Sequence, residues 1–290
     1  SSYIYVPFDK SMQLQGKNLN GPQKKIYFTL EEMYENRNPN HSTCSQRSIP
    51  KIIHQIWIGP RSIPNKYKKL SLTWKQTFPD WKYKLWTDKD VMQFQFQSKD
   101  LYNKASSYQE KSDILRYEIL KKYGGLYVDM DYEALNNFDQ IIEKYDFIGS
   151  VEPTHANNIA ITNAIIASKP ENPVFQNTLN SIRDNWHQVE KDIISELGKE
   201  KLRTSLIHLA VNRTMSPLKQ EALKYLQKNK CAIIFPPSYF SIENRNKYFD
   251  KIRLLFGSQS KRLYFRTIQP ETYARQLRGG KRKIDNLQNF

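Results

Sequence analysis

Lys111-Ser112-Asp113-Ile114-Leu115-Arg116-Tyr117-Glu118-Ile119-Leu120-Lys121-Lys122-Tyr123-Gly124-Gly125-Leu126-Tyr127-Val128-Asp129-Met130-Asp131 changes texture three times in one run of chain. Up to Tyr123 it reads as a helix, with Ile114, Leu115, Ile119 and Leu120 supplying packed sides. Asp113 and Arg116 lie three residues apart and project from the same face. Gly124 stands where a helix stops in a left-handed conformation, and Gly125 lets the chain turn tightly. Residues 126–128 form a short apolar strand that ends on two acids, Asp129 and Asp131.

Two unpaired carboxylates at the end of a buried strand would cost several kcal/mol or be forced to take up protons, so the pair calls for a cation or for water at a cleft. Hard oxygen ligands suit Mg²⁺ or Mn²⁺, which commonly take one or two carboxylates and complete their shell with substrate phosphate oxygens. A cation so placed, with basic side chains, stabilises the charge that develops on a departing nucleoside diphosphate when a sugar's anomeric bond breaks. An Asp-x-Asp pair alone is common in surface turns. Here it follows an acid–base helix face, a Gly-Gly break and the aromatic Tyr127 in uninterrupted order, and that order makes it a site.

Upstream, residues 51–58 are a β-branched run closed by Gly59-Pro60, a buried strand. A helix over 64–77 precedes residues 81–86, where alternation sets Trp81, Tyr83 and Leu85 on one strand face. Downstream the pattern predicts a helix over 138–144 and a strand over 147–150. Helices near 174–185, 190–197 and 217–228 follow, and then a strand over 231–235. Helices alternating with strands predict an α/β fold with a largely parallel sheet. Residues 1–48, rich in Asn, Gln, Lys and Pro with one amphipathic stretch at 30–34, read as an N-terminal extension that packs on or precedes a domain over 49–290.

The 290 residues suffice for one large core, and 18 Tyr, 14 Phe and 5 Trp supply packing material for a folded protein. Lys plus Arg number 45 against 29 Asp plus Glu, so the net charge of +16 favours phosphate-rich ligands, acidic partners or peripheral contact with anionic membrane. Zinc, helix-turn-helix and aromatic RNA-binding motifs are absent from the sequence, which argues against a nucleic-acid partner. Cys44 and Cys231 cannot build a zinc site or a disulfide framework. One bridge and two free thiols both fit. No apolar run is long enough to span a membrane, and the first residues lack a signal-peptide core.

Ser-Asp-x-x-Arg-Tyr followed by Tyr-Gly-Gly-x-Tyr-x-Asp-x-Asp resembles glycosyltransferase family thirty-two, which includes fungal initiating mannosyltransferases, and the related glucosylating domains of large clostridial toxins. The run from Ile49 to Trp57 is similar to that family's first strand. Asn163, opening Asn-Ala-Ile-Ile-Ala-Ser ahead of Pro170 and Pro173, extends the likeness to about residue 175. The resemblance implies a GT-A fold, Rossmann-like, with added helices. It also implies retaining transfer of a hexose or N-acetylhexosamine from a nucleotide-diphosphate sugar to a hydroxyl-bearing protein or glycan. Asp113 and Arg116 match positions that hold the donor sugar, and Asp129 matches the acid touching ribose and sugar. Asp131 matches the acid that binds metal, with Asp129 beside it in the candidate metal pair. Trp57 would stack on the base, and Tyr127 and Asn163 would complete the donor pocket. The mechanism implied is direct substitution at the anomeric carbon, the acceptor attacking from the leaving-group side without a nucleophilic side chain.

The sequence departs from many relatives in lacking a late His and Ser-Trp cluster, since its last His is His208 and its last Trp is Trp186. Its end is basic instead: Arg275, Arg278, Gly279, Gly280, Lys281, Arg282 and Lys283 suggest a segment that wraps the diphosphate. His54 reads as a satisfied interior histidine. A nucleotidyltransferase would show a Gly-Ser element ahead of its acids, and none is found. A degenerate sugar-nucleotide-binding protein and a basic polyanion-binding module are the competing readings. Sequons at Asn40 and Asn212 suit a Golgi lumen, whereas the Lys-, Asn- and Ile-rich composition favours a secreted bacterial effector acting in a host cell.

Overall fold

The computed structural model describes residues 3–12, 19–152, 158–197, 209–243 and 268–277. In chain order its elements begin with α1 (Phe8–Met12), α2 (Gly21–Arg37), β1 (Ile52–Ile56), α3 (Asn65–Thr77), β2 (Lys82–Trp86), α4 (Asp88–Gln93), α5 (Lys99–Lys104) and α6 (Tyr108–Tyr123). Then come β3 (Gly125–Val128), β4 (Tyr132–Ala134), α7 (Asp139–Ile142), β5 (Phe147–Glu152), β6 (Ala160–Ile161) and β7 (Ile165–Ser168). The last are α8 (Pro173–Asp184), α9 (Trp186–Leu197), a π-helical turn (Val211–Met215), α10 (Ser216–Lys228), β8 (Ala232–Phe235), β9 (Ile242–Glu243) and β10 (Ala274–Gln276).

The larger sheet runs β2-β1-β3-β7-β5-β6, with β8 paired to β5. It is α/β, as its alternating elements require, but mixed where a largely parallel sheet was expected. β1 pairs β2 and β3 in parallel, and β8 pairs β5 in parallel, whereas β7 runs antiparallel to both β3 and β5. The chain leaves β5, returns through β6 and inserts β7 reversed into the middle of the sheet. A four-residue apolar run carries no periodicity that would reveal this.

Strands of the central part are buried on both faces: Leu126, Tyr127 and Val128 of β3, Ile165, Ile166 and Ala167 of β7, and Ile233, Ile234 and Phe235 of β8. Their Val and Ile content fits this position. β2, at the edge, exposes Lys82, a charge that discourages a further strand from pairing there. Residues before Ile49 share the same hydrophobic cluster through Phe8, Met12, Leu30 and Tyr34. Arg37 caps that side by donating to the carbonyls of Leu226, Asn229 and Ala232. A Cys44–Cys231 disulfide, Cα to Cα 5.9 Å, ties the segment to the start of β8 and answers the alternative left open by the sequence. Among the described residues, no helix is long and apolar enough to cross a membrane.

A second sheet of three short strands, β4-β10-β9, lies beyond the end of β3. β10 pairs antiparallel with β4, setting Gln276 opposite Tyr132 and Arg275 opposite Glu133. This ladder brings the far end of the described chain onto the Asp129–Asp131 loop, and strands of three residues gave no sequence signal.

Candidate active site

α6 is capped by Ser107, whose hydroxyl accepts from the Glu110 N–H at 3.1 Å. It ends at Gly124, with φ 61°, followed by Gly125 at φ 104°. A Cβ on Gly124 would stand 2.6 Å from the Pro170 nitrogen, and one on Gly125 would stand 2.5 Å from the Ile52 carbonyl oxygen. The Gly-Gly break is therefore required twice over, by left-handed backbone and by close approach of main chain. It turns α6 directly into β3, so that Asp113 and Arg116 on the helix meet Asp129 at the strand's end.

Arg116 joins the parts. Its Nη2 lies 2.9 Å from Asp113 Oδ1 and its Nη1 lies 3.0 Å from Asp129 Oδ1. Its guanidinium also stacks on the Tyr127 ring, 4.5 Å from the centroid, and donates to the Asn163 carbonyl at 2.7 Å. Arg116 and Asp113 are almost wholly buried, while the Asp129 side chain keeps 16% of its surface. Asp129 is thus the accessible end of a buried charged group. Burial works against the Arg116 charge, but Asp129, Tyr127 and Asp113 beside it outweigh that and hold the guanidinium more firmly protonated. Burial pushes the Asp113 carboxyl up, to about 6, with Arg116 and Thr214 pulling in the opposite direction.

Two residues assigned no role in the site from the sequence, Thr214 and Tyr117, complete this group. Thr214, in the π-helical turn, donates from Oγ1 to Asp113 Oδ2 at 2.8 Å, and its carbonyl accepts from the Tyr117 hydroxyl at 2.9 Å. The Asn163 side chain donates to that same hydroxyl at 3.2 Å. Asp113, Thr214, Tyr117, Asn163 and Arg116 therefore form a closed ring of contacts. Tyr117 directly follows Arg116 and could have been suspected. Thr214 gave no signal, being 101 residues from its partner.

Tyr127 is buried, and its hydroxyl donates to Asp129 Oδ1 at 2.6 Å, so it aims the carboxylate from beneath. Asn163 is buried, with its side chain turned to Tyr117. Trp57 lies just past β1, half-buried. Its indole donates to the Arg61 carbonyl at 2.7 Å, and its ring packs at 5.8 Å on Tyr67 of α3. His54 accepts at Nδ1 from Trp86 and donates from Nε2 to the Gly124 carbonyl. Burial lowers it to about 4, with the Gly124 contact opposing, so it is a neutral, satisfied histidine beneath the Gly-Gly turn.

Asp131 is fully buried, and the Gln276 amide donates to its Oδ2 at 3.2 Å and its Oδ1 at 3.5 Å. The backbone is fastened too, since the Leu277 N–H donates to the Asp131 carbonyl at 2.7 Å. Arg275, the first of the basic residues near the end, pairs instead with Glu133 at 2.6 Å. Arg278, Gly279, Gly280, Lys281, Arg282 and Lys283 lie outside the described residues, as does His208. Among the described residues, no group of three His, Cys, Asp or Glu side chains converges as a ready-made metal cage. The Asp129 and Asp131 carboxylates are hard oxygen donors that fit Mg²⁺ or Mn²⁺ sharing its remaining positions with phosphate and water. A cavity of about 420 Å³, lined by Phe96, Glu118, Lys121 and Gln176 among others, opens by the last turn of α6, at the opposite end of β3 from the acids.

Residues 64–148 match a family model described as "Glycosyltransferase sugar-binding region containing DXD motif". A glycosyltransferase of Acanthamoeba polyphaga mimivirus is 28% identical over 184 residues, covering 61% of this chain and 72% of that protein. A mannosyl phosphorylinositol ceramide synthase of Saccharomyces cerevisiae is 28% identical over 186 residues, covering 62% of this chain but 47% of its own length. The chain thus spans about half of that yeast relative. Among solved structures, the PaToxG glycosyltransferase shares 20% identity at a TM-score of 0.47, covering 86% of this chain and 99% of the other.

Proposed function

We propose that this chain, a glycosyltransferase by the sugar-binding region it carries, moves a hexose or N-acetylhexosamine from a nucleotide-diphosphate sugar to a hydroxyl with retention at the anomeric carbon. The observation that carries the reading is Arg116, bonded at once to Asp113 on the helix and Asp129 at the strand end. A rigid charged group of this kind can orient a polar sugar, because its own hydrogen bonds fix the direction of its accessible end, Asp129. Asp113 and Arg116 bind and orient the sugar, Asp129 holds ribose and sugar, and Trp57 flanks the base. Asp131 and Asp129 would hold Mn²⁺ or Mg²⁺, which when bound supplies charge to stabilise the departing diphosphate. The acceptor hydroxyl attacks from the leaving-group side, so that no side chain forms a covalent intermediate.

Mannose is the first hexose to test, since the yeast relative is named for a mannosyl phosphorylinositol ceramide, and that name also brings a phosphorylinositol lipid beside protein and glycan acceptors. The exposed side chains of Lys66, Lys68 and Lys69 on α3 support peripheral contact with anionic membrane. Action as a secreted bacterial effector is part of the proposal, and the Cys44–Cys231 bridge supports passage through an oxidising space.

The test is a panel of nucleotide sugars scored for Mn²⁺-dependent hydrolysis and transfer. Asp129→Ala and Asp131→Ala are each expected to lower turnover by about a hundredfold or more in protein shown to be folded at the assay temperature. Parent-like turnover in the double variant would refute the reading. A second reading, a sugar-nucleotide-binding protein without turnover, draws on the full burial of Asp131. Saturable donor binding with no hydrolysis across the panel would favour it.

A further inference from the structure

The β4–β10 ladder fixes which side chains of β10 face the acids. Arg275, opposite Glu133, sends its guanidinium to that carboxylate, and both side chains are about a quarter exposed. The next residue, Gln276, must therefore point to the other face. There it is buried against Asp131, a residue 145 positions away in the chain. The amide's contacts with the two carboxylate oxygens, 3.2 Å and 3.5 Å, are longer than the ~2.9–3.0 Å usual for N–H···O bonds and are split between both oxygens. The backbone on either side is held, Gln276 by the ladder and Leu277 by the Asp131 carbonyl. What can move is the amide itself. Its oxygen and its NH₂ group are nearly equal in size, so a half-turn about the terminal bond exchanges a donor for an acceptor without displacing a neighbour.

We propose that Gln276 is a metal ligand of this site: its Nε2 donates to Asp131 when the cation is absent, and its Oε1 faces the cation when one is bound. The inference rests on Asp131 being the metal-binding acid. A neutral amide oxygen is a hard ligand of the kind Mg²⁺ and Mn²⁺ accept, and it adds no negative charge beside a diphosphate. The same side chain thus satisfies a buried carboxylate in the free protein and turns to the ion in the loaded one.

Mn²⁺ affinity of the full chain, read from the electron paramagnetic resonance of free Mn²⁺ with uridine or guanosine diphosphate present, tests this. Gln276→Met keeps the length and removes the oxygen, and should weaken Mn²⁺ binding about tenfold or more. Gln276→Glu should bind Mn²⁺ more tightly than the parent, and its melting temperature should rise more steeply with added Mn²⁺ than the parent's, because two adjacent acids repel until a cation joins them. The Glu variant decides the matter if the Met variant melts too early to titrate. Parent-like affinity in a folded Met variant, or an affinity in the Glu variant no higher than the parent's, would overturn the assignment. An Asp131→Asn control separates the two levels. If it binds Mn²⁺ as the parent does, the acid-pair reading fails; if it alone loses binding, Gln276 is no ligand.

Discussion

At Asp113, burial and pairing act in opposite directions on one carboxyl group, and the balance makes it the titrating member of the ring. Burial raises it from its ordinary 3.8 to about 6, although Arg116 and Thr214 favour the ionised form. A raised carboxyl contributes stability that is complete below its ordinary value and is lost as pH rises through about 6. Function runs the other way, because only the carboxylate can accept from a sugar hydroxyl while pairing with Arg116. The efficiency kcat/KM for the donor is therefore expected to climb as pH rises through about 6, and Asp113→Asn should abolish that limb along with most activity. Thr214→Val removes a hydrogen bond that favours the charged form, so it should move the limb to higher pH, and Thr214→Ser should restore it. An unchanged limb in Thr214→Val would mean that the π-helical turn has no part in tuning Asp113. Arg116 is a different case. Its loss would leave two carboxylates facing one another and should destabilise the fold as well as the site.

Among the elements, the α6–β3 junction carries the most consequence per residue. Both glycines have φ values in the left-handed region, and both face main-chain or ring atoms closer than a Cβ allows. Gly125→Ala would drive its methyl against the Ile52 carbonyl and so push β3 from β1, the pairing that aligns Leu126 with Ile53. A loss of at least about 1–3 kcal/mol is expected, read as a lower denaturant midpoint at unchanged slope. A midpoint equal to the parent's would contradict the geometry. The junction was legible in the sequence because helix periodicity, two glycines and a short apolar run each impose a local preference that tertiary structure had no reason to override. β7, β9 and β10 were not legible. They are two to four residues long, and each owes its strand conformation to a partner distant in sequence.

For the molecule as a whole, the residues before β1 are covalently tied to Cys231, next to the start of β8. Cys44→Ser with Cys231→Ser should lower stability by about 2–5 kcal/mol, since the bridge closes a loop of 187 residues in the unfolded chain. Thiol titration of the untreated protein should find no reactive cysteine until a reductant is added. One or two titratable thiols in the native protein would show that the bridge does not form. The donor site should feel little of this, because its fastening to the rest of the fold runs through α6, the π-helical turn and β10.

Periodicity and the Gly-Gly break were enough, from the sequence by itself, to have a helix and a short strand deliver Asp113, Arg116 and Asp129 to one neighbourhood, with Asp131 two residues further along. Local backbone preference and adjacency in the chain are enough for that. Only the tertiary structure decided that β7 enters reversed, that Thr214 and Tyr117 close a ring around Arg116, and that Gln276 stands over Asp131. Those contacts join segments tens to more than a hundred residues apart. Which of many polar side chains meets a buried charge depends on how the strands and helices pack, and that geometry is not written in any single window of the chain.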